Sequence, residues 1–167
     1  MSSNPSALGQ AAIDFDHLAV AVVDLEASVA WYRDVLGFEV LERRTTEGEE
    51  TAMVSAVLKA GPMTVVLVQG TSPRSQVSRY IEHYGPGLQH AAIGVKNLPQ
   101  LVERLEESGM EFATSVIEGE GIRQIFTRRD PGSGMMFELI ERREEKGKFT
   151  DESVRELFRQ LEEGDQF

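Results

Sequence analysis

The chain has 167 residues, about the length of one domain, and 41% of them are apolar, which is enough for a buried core. Its 28 acidic residues outnumber its 17 basic residues and give a formal net charge of −11. This charge argues against nucleic acid and against an anionic membrane surface as partners, because both bind clustered Lys and Arg. There is no cysteine, so disulfides, thiolate metal sites and cysteine nucleophiles are excluded.

The beginning of the chain carries no sign of a targeting segment. Residues 1–10 are small and polar, without the basic start and apolar stretch of a signal peptide. No stretch approaches the ~20 apolar residues of a membrane span. We therefore expect a soluble, cytoplasmic protein without a membrane partner, in which residues 1–12 form a flexible N-terminal segment.

An internal repeat organises the rest of the chain. Residues 15–22 read FDHLAVAV and residues 88–95 read LQHAAIGV, so His17 and His90 occupy one position in two copies that lie 73 residues apart. The copies continue to match downstream, at Asp24 with Asn97 and, with an offset of 72, at Gly37 with Gly109. A single deletion in a loop explains the change of offset.

Module one, residues 13–70, is predicted to contain a strand, a helix and three further strands. The first strand is an almost continuous apolar run, which is typical of a strand covered on both faces. Asp24 is suited to the N-cap of the helix, and Gly37 to the left-handed residue at its end. The predicted elements are a strand at 16–22, a helix at 25–36, and strands at 39–46, 51–59 and 63–69.

The second half of the chain repeats this order after a connecting helix, predicted at 74–83 within residues 71–86. Module two, residues 87–143, is predicted to hold a strand at 88–95, a helix at 98–108, and strands at 111–118, 121–128 and 135–142. Residues 144–167 are predicted to form a charged hinge and a final helix at 151–163. This helix has the form of a lid or, alternatively, caps the sheet or mediates a dimer. The apolar stripe of this helix consists of Val154, Leu157, Phe158 and Leu161.

The expected fold class is α+β. Two βαβββ modules should form a curved mixed β-sheet around a shared concave surface, with a C-terminal helix added. A sheet as small as one module cannot cover both of its faces alone, so the two modules must pack together in a single domain at residues 13–143.

Three residues are candidates for metal binding. His17 and His90 lie on the first strand of each module, and Glu138 lies in an apolar stretch, at the repeat position of Val66. A carboxylate in such a stretch is costly to bury unless it is paired or bound to a cation. Two imidazoles and one carboxylate, without a fourth protein ligand, suit Fe(II) and leave positions for substrate and oxygen.

Each of these residues also has an ordinary structural explanation. A single histidine on a strand is more often a core or rim residue than a ligand, and Glu138 could face water on an edge strand. Glu141 would take the inward position if the register of the strand shifted by one residue. His83, on a polar helix with Glu82 and Arg79, is expected to be solvated.

These motifs resemble the vicinal oxygen chelate superfamily, which includes glyoxalase I, methylmalonyl-CoA epimerase and extradiol dioxygenases. The resemblance covers residues 15–143 and rests on FDHLAVAVVDLEASVAWYRDVLGF, LQHAAIGVKNL and FELIERR. Three stretches are most similar to the C-terminal, iron-bearing half of 4-hydroxyphenylpyruvate dioxygenase and hydroxymandelate synthase. They read SQVSRYIEHYGPGLQHAAIGV, RQIFTRRDPGSGMMFELIERR and GKFTDESVRELFRQLEE.

The resemblance implies the vicinal oxygen chelate fold and the following site residues: His17, His90 and Glu138 for iron, Gln124 and Phe126 for substrate, and Phe149 at the base of a closing terminal helix. Asp16 could orient a histidine ligand. The expected function is a non-haem Fe(II)-dependent dioxygenase that decarboxylates and hydroxylates a 2-oxo acid, with Co, Mn, Zn and Ni as alternative metals. The expected partner is a small-molecule substrate, and a homodimer is left open.

The chain departs from the dioxygenase pattern around the expected substrate position. An aromatic residue expected two positions before the ligand glutamate is Met136, and an Asn-Phe pair expected in the closing helix is Ser153-Val154. The pocket should therefore be wider or differently shaped. This difference argues against 4-hydroxyphenylpyruvate itself as the substrate.

Two other functions are compatible with the sequence. A metal-dependent epimerase, isomerase or lyase of the methylmalonyl-CoA epimerase or glyoxalase type would need a fourth ligand where this chain has Val66. It would also need a carboxylate base near Thr51, for which Glu49 and Glu50 are the candidates. A metal-free module that binds or sequesters a small molecule would not need the three ligands at all.

Overall fold

The computed structural model of the protein describes residues 6–48, 51–143 and 150–167. Its helices are α1 (Ala7–Ala11), α2 (Leu25–Ala30), α3 (Gln76–Tyr84), α4 (Leu98–Glu107) and α5 (Asp151–Glu163). Its strands are β1 (Ala12–Ala21), β2 (Glu39–Glu47), β3 (Ala52–Ala60), β4 (Met63–Gly70), β5 (Gly87–Val95), β6 (Ile117–Gly119), β7 (Ile122–Phe126) and β8 (Phe137–Arg142). None of the helices within these ranges is long and apolar enough to cross a membrane.

All eight strands form one curled, mixed sheet in the order β2-β3-β4-β1-β5-β8-β7-β6. The first strands of the two modules, β1 and β5, pair antiparallel at its centre. Each of them pairs in parallel with the last strand of its own module, β4 or β8. The α+β fold class and the curved sheet of two βαβββ modules are therefore confirmed.

The strand pairing places the two copies of the repeat in the same register. In module one Ala19 pairs with Val66, and in module two Ala92 pairs with Glu138. The two pairs are related by the offsets of 73 and 72 residues that the sequence shows. The equivalence of Glu138 with Val66, taken from the sequence, is therefore matched by equivalent strand pairing in the two modules.

Alternate residues of the central strands cover opposite faces of the sheet. On β4, Val65 and Leu67 form a buried cluster with Leu25 of α2 on the convex face. Val66 and Val68 line the concave face instead. Because both faces are covered, β4 is apolar at almost every position.

In module two, α4 covers the convex face in the same way. Leu98, Leu101 and Leu105 of α4 form a buried cluster with Leu139 of β8, and Ala11 of α1 joins this cluster. The sequence predicts a flexible segment at residues 1–12 and gives no indication of α1. A helix of five residues is too short to show a helical periodicity of apolar residues.

The ends of the first predicted helix follow the sequence signals. The Asp24 carboxylate accepts a hydrogen bond from the backbone N–H of Ala27 at 2.9 Å, and Gly37 has a positive φ of 76°. Between these ends, α2 continues as one π-helical turn, Trp31–Val35. The predicted extent of 25–36 is right, although the last turn is wider than an α-helix.

The strand predicted at 111–118 is much shorter than expected. Only β6 forms, and a single bridge between Phe112 and Thr127 precedes it. β6 lies at the edge of the sheet, where it has one neighbour. Upstream, the backbone N–H of Ser115 donates a hydrogen bond to the Gln160 side chain of α5 at 2.7 Å. A side chain of α5 therefore replaces strand pairing there.

The final predicted helix is confirmed as α5. Thr150 caps its first turn in a capping box with Ser153, and Val154, Phe158 and Leu161 of the predicted stripe are buried. Other expectations lie outside the described residues: the hinge at 144–148, Phe149, Glu49 and Glu50.

Candidate metal centre

Three strands carry the candidate ligands, and their pairing brings the side chains together. Ala92 of β5 pairs on one side with His17 of β1 and on the other side with Glu138 of β8. His90 lies two residues before Ala92, on the same face of β5. The three polar side chains therefore emerge next to one another on the concave face, although they are far apart in the sequence.

The donor atoms of these side chains form a compact group. Nε2 of His17 and Nε2 of His90 each lie 3.2 Å from Oε2 of Glu138. One donor atom from each residue can be chosen so that all three lie within 4.8 Å of one another. Two ligands bound to one ion at about 2.1 Å and at right angles are ~3.0 Å apart, so this spacing is suitable for a shared ion.

Neither Glu141, the alternative inward residue of this strand, nor His83, the third histidine, belongs to the group. Glu141 does not point into the concave face and accepts a hydrogen bond from the backbone N–H of Asn97 at 2.7 Å. His83 is exposed on α3 and lies outside the group. The register that places Glu138 inward is therefore the one adopted.

A polar side chain contacts each imidazole on the side away from the group. Nδ1 of His17 lies 2.8 Å from Oδ1 of Asp16, which in turn accepts hydrogen bonds from Arg142. Nδ1 of His90 is hydrogen-bonded to Oε1 of Gln89. Both partners accept at Nδ1, so in a neutral imidazole the lone pair that can bind a cation is on Nε2.

Sequence reasoning offered a contact with a histidine as one of two explanations for Asp16, and it missed Gln89. The signal was present, because the 73-residue offset that relates the two histidines also relates Asp16 to Gln89. In both modules, the residue before the histidine thus contacts Nδ1 of that histidine. Arg142 gave no comparable signal, since its contact with Asp16 joins residues 126 positions apart.

Burial and mutual contact set the protonation of the group. Burial opposes ionisation of Glu138, but the charge of His17 and hydrogen bonds with both imidazoles bring its pKa down to about 2. Burial also works against a charge on His17, yet the Glu138 and Asp16 carboxylates raise the pKa of His17 to about 9. Burial keeps the pKa of His90 below its ordinary value. The proton on His17 therefore compensates the negative charge of the buried Glu138 carboxylate. A bound cation would displace this proton and compensate the charge in its place.

A divalent metal ion fits this set of residues. Oε1 of Glu138 is buried and has no hydrogen-bond partner among the described residues, although buried polar atoms are normally paired. Imidazole and carboxylate together suit Fe, Co, Mn, Zn and Ni. Within the described ranges no fourth His, Asp or Glu joins the group, and Val66 stands at the repeat position of Glu138. About half of the coordination sphere of such an ion would remain for other ligands.

A cavity of about 110 Å³ adjoins the group. Its wall is mostly apolar and includes Ala19, Met53, Val57, Val66, Val68 and Phe126. Phe126, expected from the sequence as a pocket wall, lies edge-on to the His90 ring with 5.1 Å between the ring centres. The cavity therefore offers apolar surface directly beside the candidate ligands.

Gln124 supplies a polar group in this apolar wall. It lies on β7, two residues before Phe126, and lines the same cavity. Its side chain is 1% exposed, and neither its amide oxygen nor its amide nitrogen has a hydrogen-bond partner among the described residues. A buried amide in this state is suited to a polar group of a bound molecule.

Two further elements complete the cavity. Val154 and Leu157 of α5 line it, as do Glu42 and Arg44 of β2, which form an ion pair at 2.8 Å. Sequence reasoning missed this charged pair. Residues two apart on a strand share a face, but β2 has no apolar alternation that would show which of its faces is inward.

Two relatives are similar over most of the chain. The 4-hydroxyphenylpyruvate dioxygenase of Hordeum vulgare is 29% identical in an alignment 138 residues long, which covers 74% of this chain and 32% of that protein. A lactoylglutathione lyase of Salmonella typhimurium is 30% identical over 125 residues, which are 75% of this chain and 90% of that protein. The chain thus spans about a third of the length of the first relative and most of the second.

Two solved structures share the fold. A mutant of 4-hydroxymandelate synthase from Streptomyces coelicolor superposes with a TM-score of 0.80 at 21% identity, over 99% of this chain and 57% of that chain. Methylmalonyl-CoA epimerase of the same organism superposes with a TM-score of 0.67 at 26% identity, over 78% of this chain and 98% of that chain.

The match to a family model agrees with the superfamily that the motifs resemble. It extends over residues 14–139, a range that covers nearly all of both modules and includes all three candidate ligands. This range is well over half of the chain, and the curled eight-stranded sheet is the fold of that family. The chain belongs to the Glyoxalase/Bleomycin resistance protein/Dioxygenase superfamily.

Proposed function

We propose that the protein is a non-haem Fe(II)-dependent dioxygenase that acts on a 2-oxo acid. The observation that carries this proposal is the set of three donors, His17, His90 and Glu138, with the apolar Val66 where a fourth donor would stand. A three-donor set of this kind leaves room for a bidentate substrate and for dioxygen on one ion. Bound there, Fe(II) would supply the redox chemistry of oxygen activation and decarboxylation.

The chain's own residues would bind, orient and exclude water. Asp16 and Gln89 would hold the two imidazoles with Nε2 directed at the ion. Gln124 would donate a hydrogen bond from its amide to an oxygen of the substrate, and this bond would satisfy an otherwise unpaired buried group. Phe126 and Val68 would keep water away from the reacting atoms.

The lining of the cavity favours a substrate with an apolar side chain. Met53, Val57 and Val68 offer no hydrogen-bonding groups from their side chains, so an aryl or branched aliphatic group would pack there. Met136 is fully buried and Val154 replaces an aromatic residue of the dioxygenase pattern. For this reason we do not propose 4-hydroxyphenylpyruvate in particular. The dioxygenase of Hordeum vulgare supports the reaction class, although the chain matches only a third of it.

Oxygen consumption tests the proposal. The chain is purified without oxygen, loaded with Fe(II) and mixed with a panel of aryl and branched 2-oxo acids, while O₂ uptake and CO₂ release are recorded. We expect at least one acid to give equal amounts of both. Glu138→Gln should abolish the activity, and Glu141→Gln, on the outward face of the same strand, should retain it. Fe(II)-loaded protein that consumes no O₂ with any acid would contradict the proposal.

A metal-dependent isomerase or lyase is the second candidate, favoured by the similarity to a lactoylglutathione lyase over 90% of that protein. Its general base would have to come from Glu49 or Glu50, which lie outside the described residues. Such an enzyme exchanges a substrate C–H proton with solvent deuterium and consumes no O₂. A third candidate, a metal-free binding protein, would be purified without stoichiometric metal and would gain no activity on loading.

A further inference from the structure

The segment that follows α5 reaches α3 in the connection between the two modules. Asp165 has a positive φ of 52° and changes the direction of the chain after α5. The Phe167 ring then packs against the buried cluster that contains Val77 and Tyr80 of α3. It also lies 4.8 Å from the His83 ring. The segment is therefore attached to a part of the molecule other than β2 and β6, which α5 itself contacts.

One guanidinium group joins this segment to the strands of the candidate metal centre. Nε of Arg129 donates a hydrogen bond to the carbonyl oxygen of Phe167 at 2.9 Å. Nη2 donates to the carbonyl oxygen of Gln89, the residue before His90, at 2.9 Å. Nη1 donates to the carbonyl oxygen of Gly134, shortly before β8, at 2.8 Å. The Arg129 side chain thus forms hydrogen bonds with three segments that are distant from one another in the sequence.

Aromatic contacts fix the position of this guanidinium. It lies over the rings of Tyr80 and Tyr84, at 4.8 and 5.5 Å from their centres. The Tyr80 hydroxyl donates to the carbonyl oxygen of Leu88 at 2.6 Å, which ties α3 to β5 as well. A planar group with donors pointing in three directions is needed here, and the ammonium group of lysine would not supply it.

We propose that Arg129 and Phe167 form a latch that holds α5 closed over the cavity by anchoring its end to α3, β5 and the turn before β8. For α5 to open, the Arg129–Phe167 hydrogen bond must break and the Phe167 ring must leave its cluster. Neither residue lines the cavity, so the latch controls access without contacting a bound molecule. The use of this opening for substrate entry rests on the proposed function, whereas the restraint on α5 does not.

Hydrogen exchange of the metal-free full chain tests the latch. Mass spectrometry follows the peptides of α5 and, for comparison, those of α2 and α4, which belong to other buried clusters. Arg129→Gln and Phe167→Ala should each speed exchange in α5 about tenfold and leave α2 and α4 unchanged. Phe167→Tyr keeps the aromatic ring and should exchange like the wild type. The matched control is Arg128→Gln, because Arg128 is exposed and pairs with Glu111 at 3.4 Å.

Two results would overturn the latch. Exchange in α5 that stays at the wild-type rate in both Arg129→Gln and Phe167→Ala would show that the contacts do not restrain this helix. Equal acceleration in α5, α2 and α4 would give Arg129 a general structural role instead. Because the measurement needs neither metal nor substrate, its failure is separate from a failure of the oxygen-uptake experiment.

Discussion

Glu138 and Gln124 are neighbouring polar residues on β8 and β7, each 1% exposed. The two side chains differ in their hydrogen-bond partners. Oε2 of Glu138 has two imidazole partners, whereas the amide of Gln124 has no partner among the described residues. An unpaired buried amide is destabilising, so a residue selected for stability alone would be apolar at position 124. Its presence is consistent with a role toward a bound molecule.

Replacement of Gln124 by methionine should therefore stabilise the metal-free protein. Methionine has a similar length and buries no amide, so we expect the free energy of unfolding to rise by about 1–2 kcal/mol. Urea denaturation measures this change. Gln100→Met, on the exposed side of α4, is the control and should leave the free energy unchanged. A loss of stability in Gln124→Met would mean that the amide is paired in solution.

At the scale of elements, the two helices related by the repeat begin differently. Asp24 has a φ of −135°, and its side chain caps α2. Asn97, at the equivalent position before α4, has a left-handed conformation with φ 54° and ψ 51° and makes no side-chain cap. The same position of the repeat thus stabilises the start of the helix through a side-chain hydrogen bond in module one and through its backbone conformation in module two.

Substitutions by alanine and glycine should separate these two contributions. Asn97→Ala should lower the free energy of unfolding by about 1 kcal/mol, because alanine is strained at positive φ. Asn97→Gly should leave it unchanged or raise it, since glycine adopts this conformation freely. Asp24→Ala should also lower it by about 1 kcal/mol, here through loss of the cap. Urea denaturation that finds Asn97→Ala as stable as the wild type would contradict this explanation.

At the scale of the whole molecule, the candidate metal centre lies across the junction of the two modules. β1 and β5 are the strands that join the two halves of the sheet. His17 comes from module one, and His90 and Glu138 come from module two. An ion bound to all three would link the modules, and it would bind only the folded chain, in which the three donors are close together.

A bound divalent metal should accordingly raise the thermal stability of the chain. At a free Co(II) or Zn(II) concentration of about 100 times the Kd, the gain is about 2.7 kcal/mol. For a chain of this size such a gain corresponds to a Tm higher by roughly 5–10 °C. EDTA should reverse the shift, and Glu141→Gln should retain it. A shift of the same size in Glu138→Gln would place the ion elsewhere.

Much of the fold and of the candidate site could be predicted, because the chain contains two copies of one unit and equivalent residues can be aligned. Equivalence of Glu138 with Val66 favoured Glu138 as the inward residue of β8, and the two histidines were found because they occupy one position of the repeat. The shortness of β6 could not be predicted, since it depends on a side chain of α5 that bonds the neighbouring backbone. The inward side of β2, with Glu42 and Arg44, could not be predicted either, because both of its faces are polar.

The sequence by itself determined the duplication, the order of the repeated elements and the three candidate ligands. These features depend on local periodicity and on the match between two copies, and both can be read directly from the order of the residues. Only the tertiary structure decided that Gln89 contacts His90, that Gln124 is buried without a partner, and that Arg129 joins three segments. Such contacts arise where strands and helices distant in sequence meet, and local patterns carry no information about them.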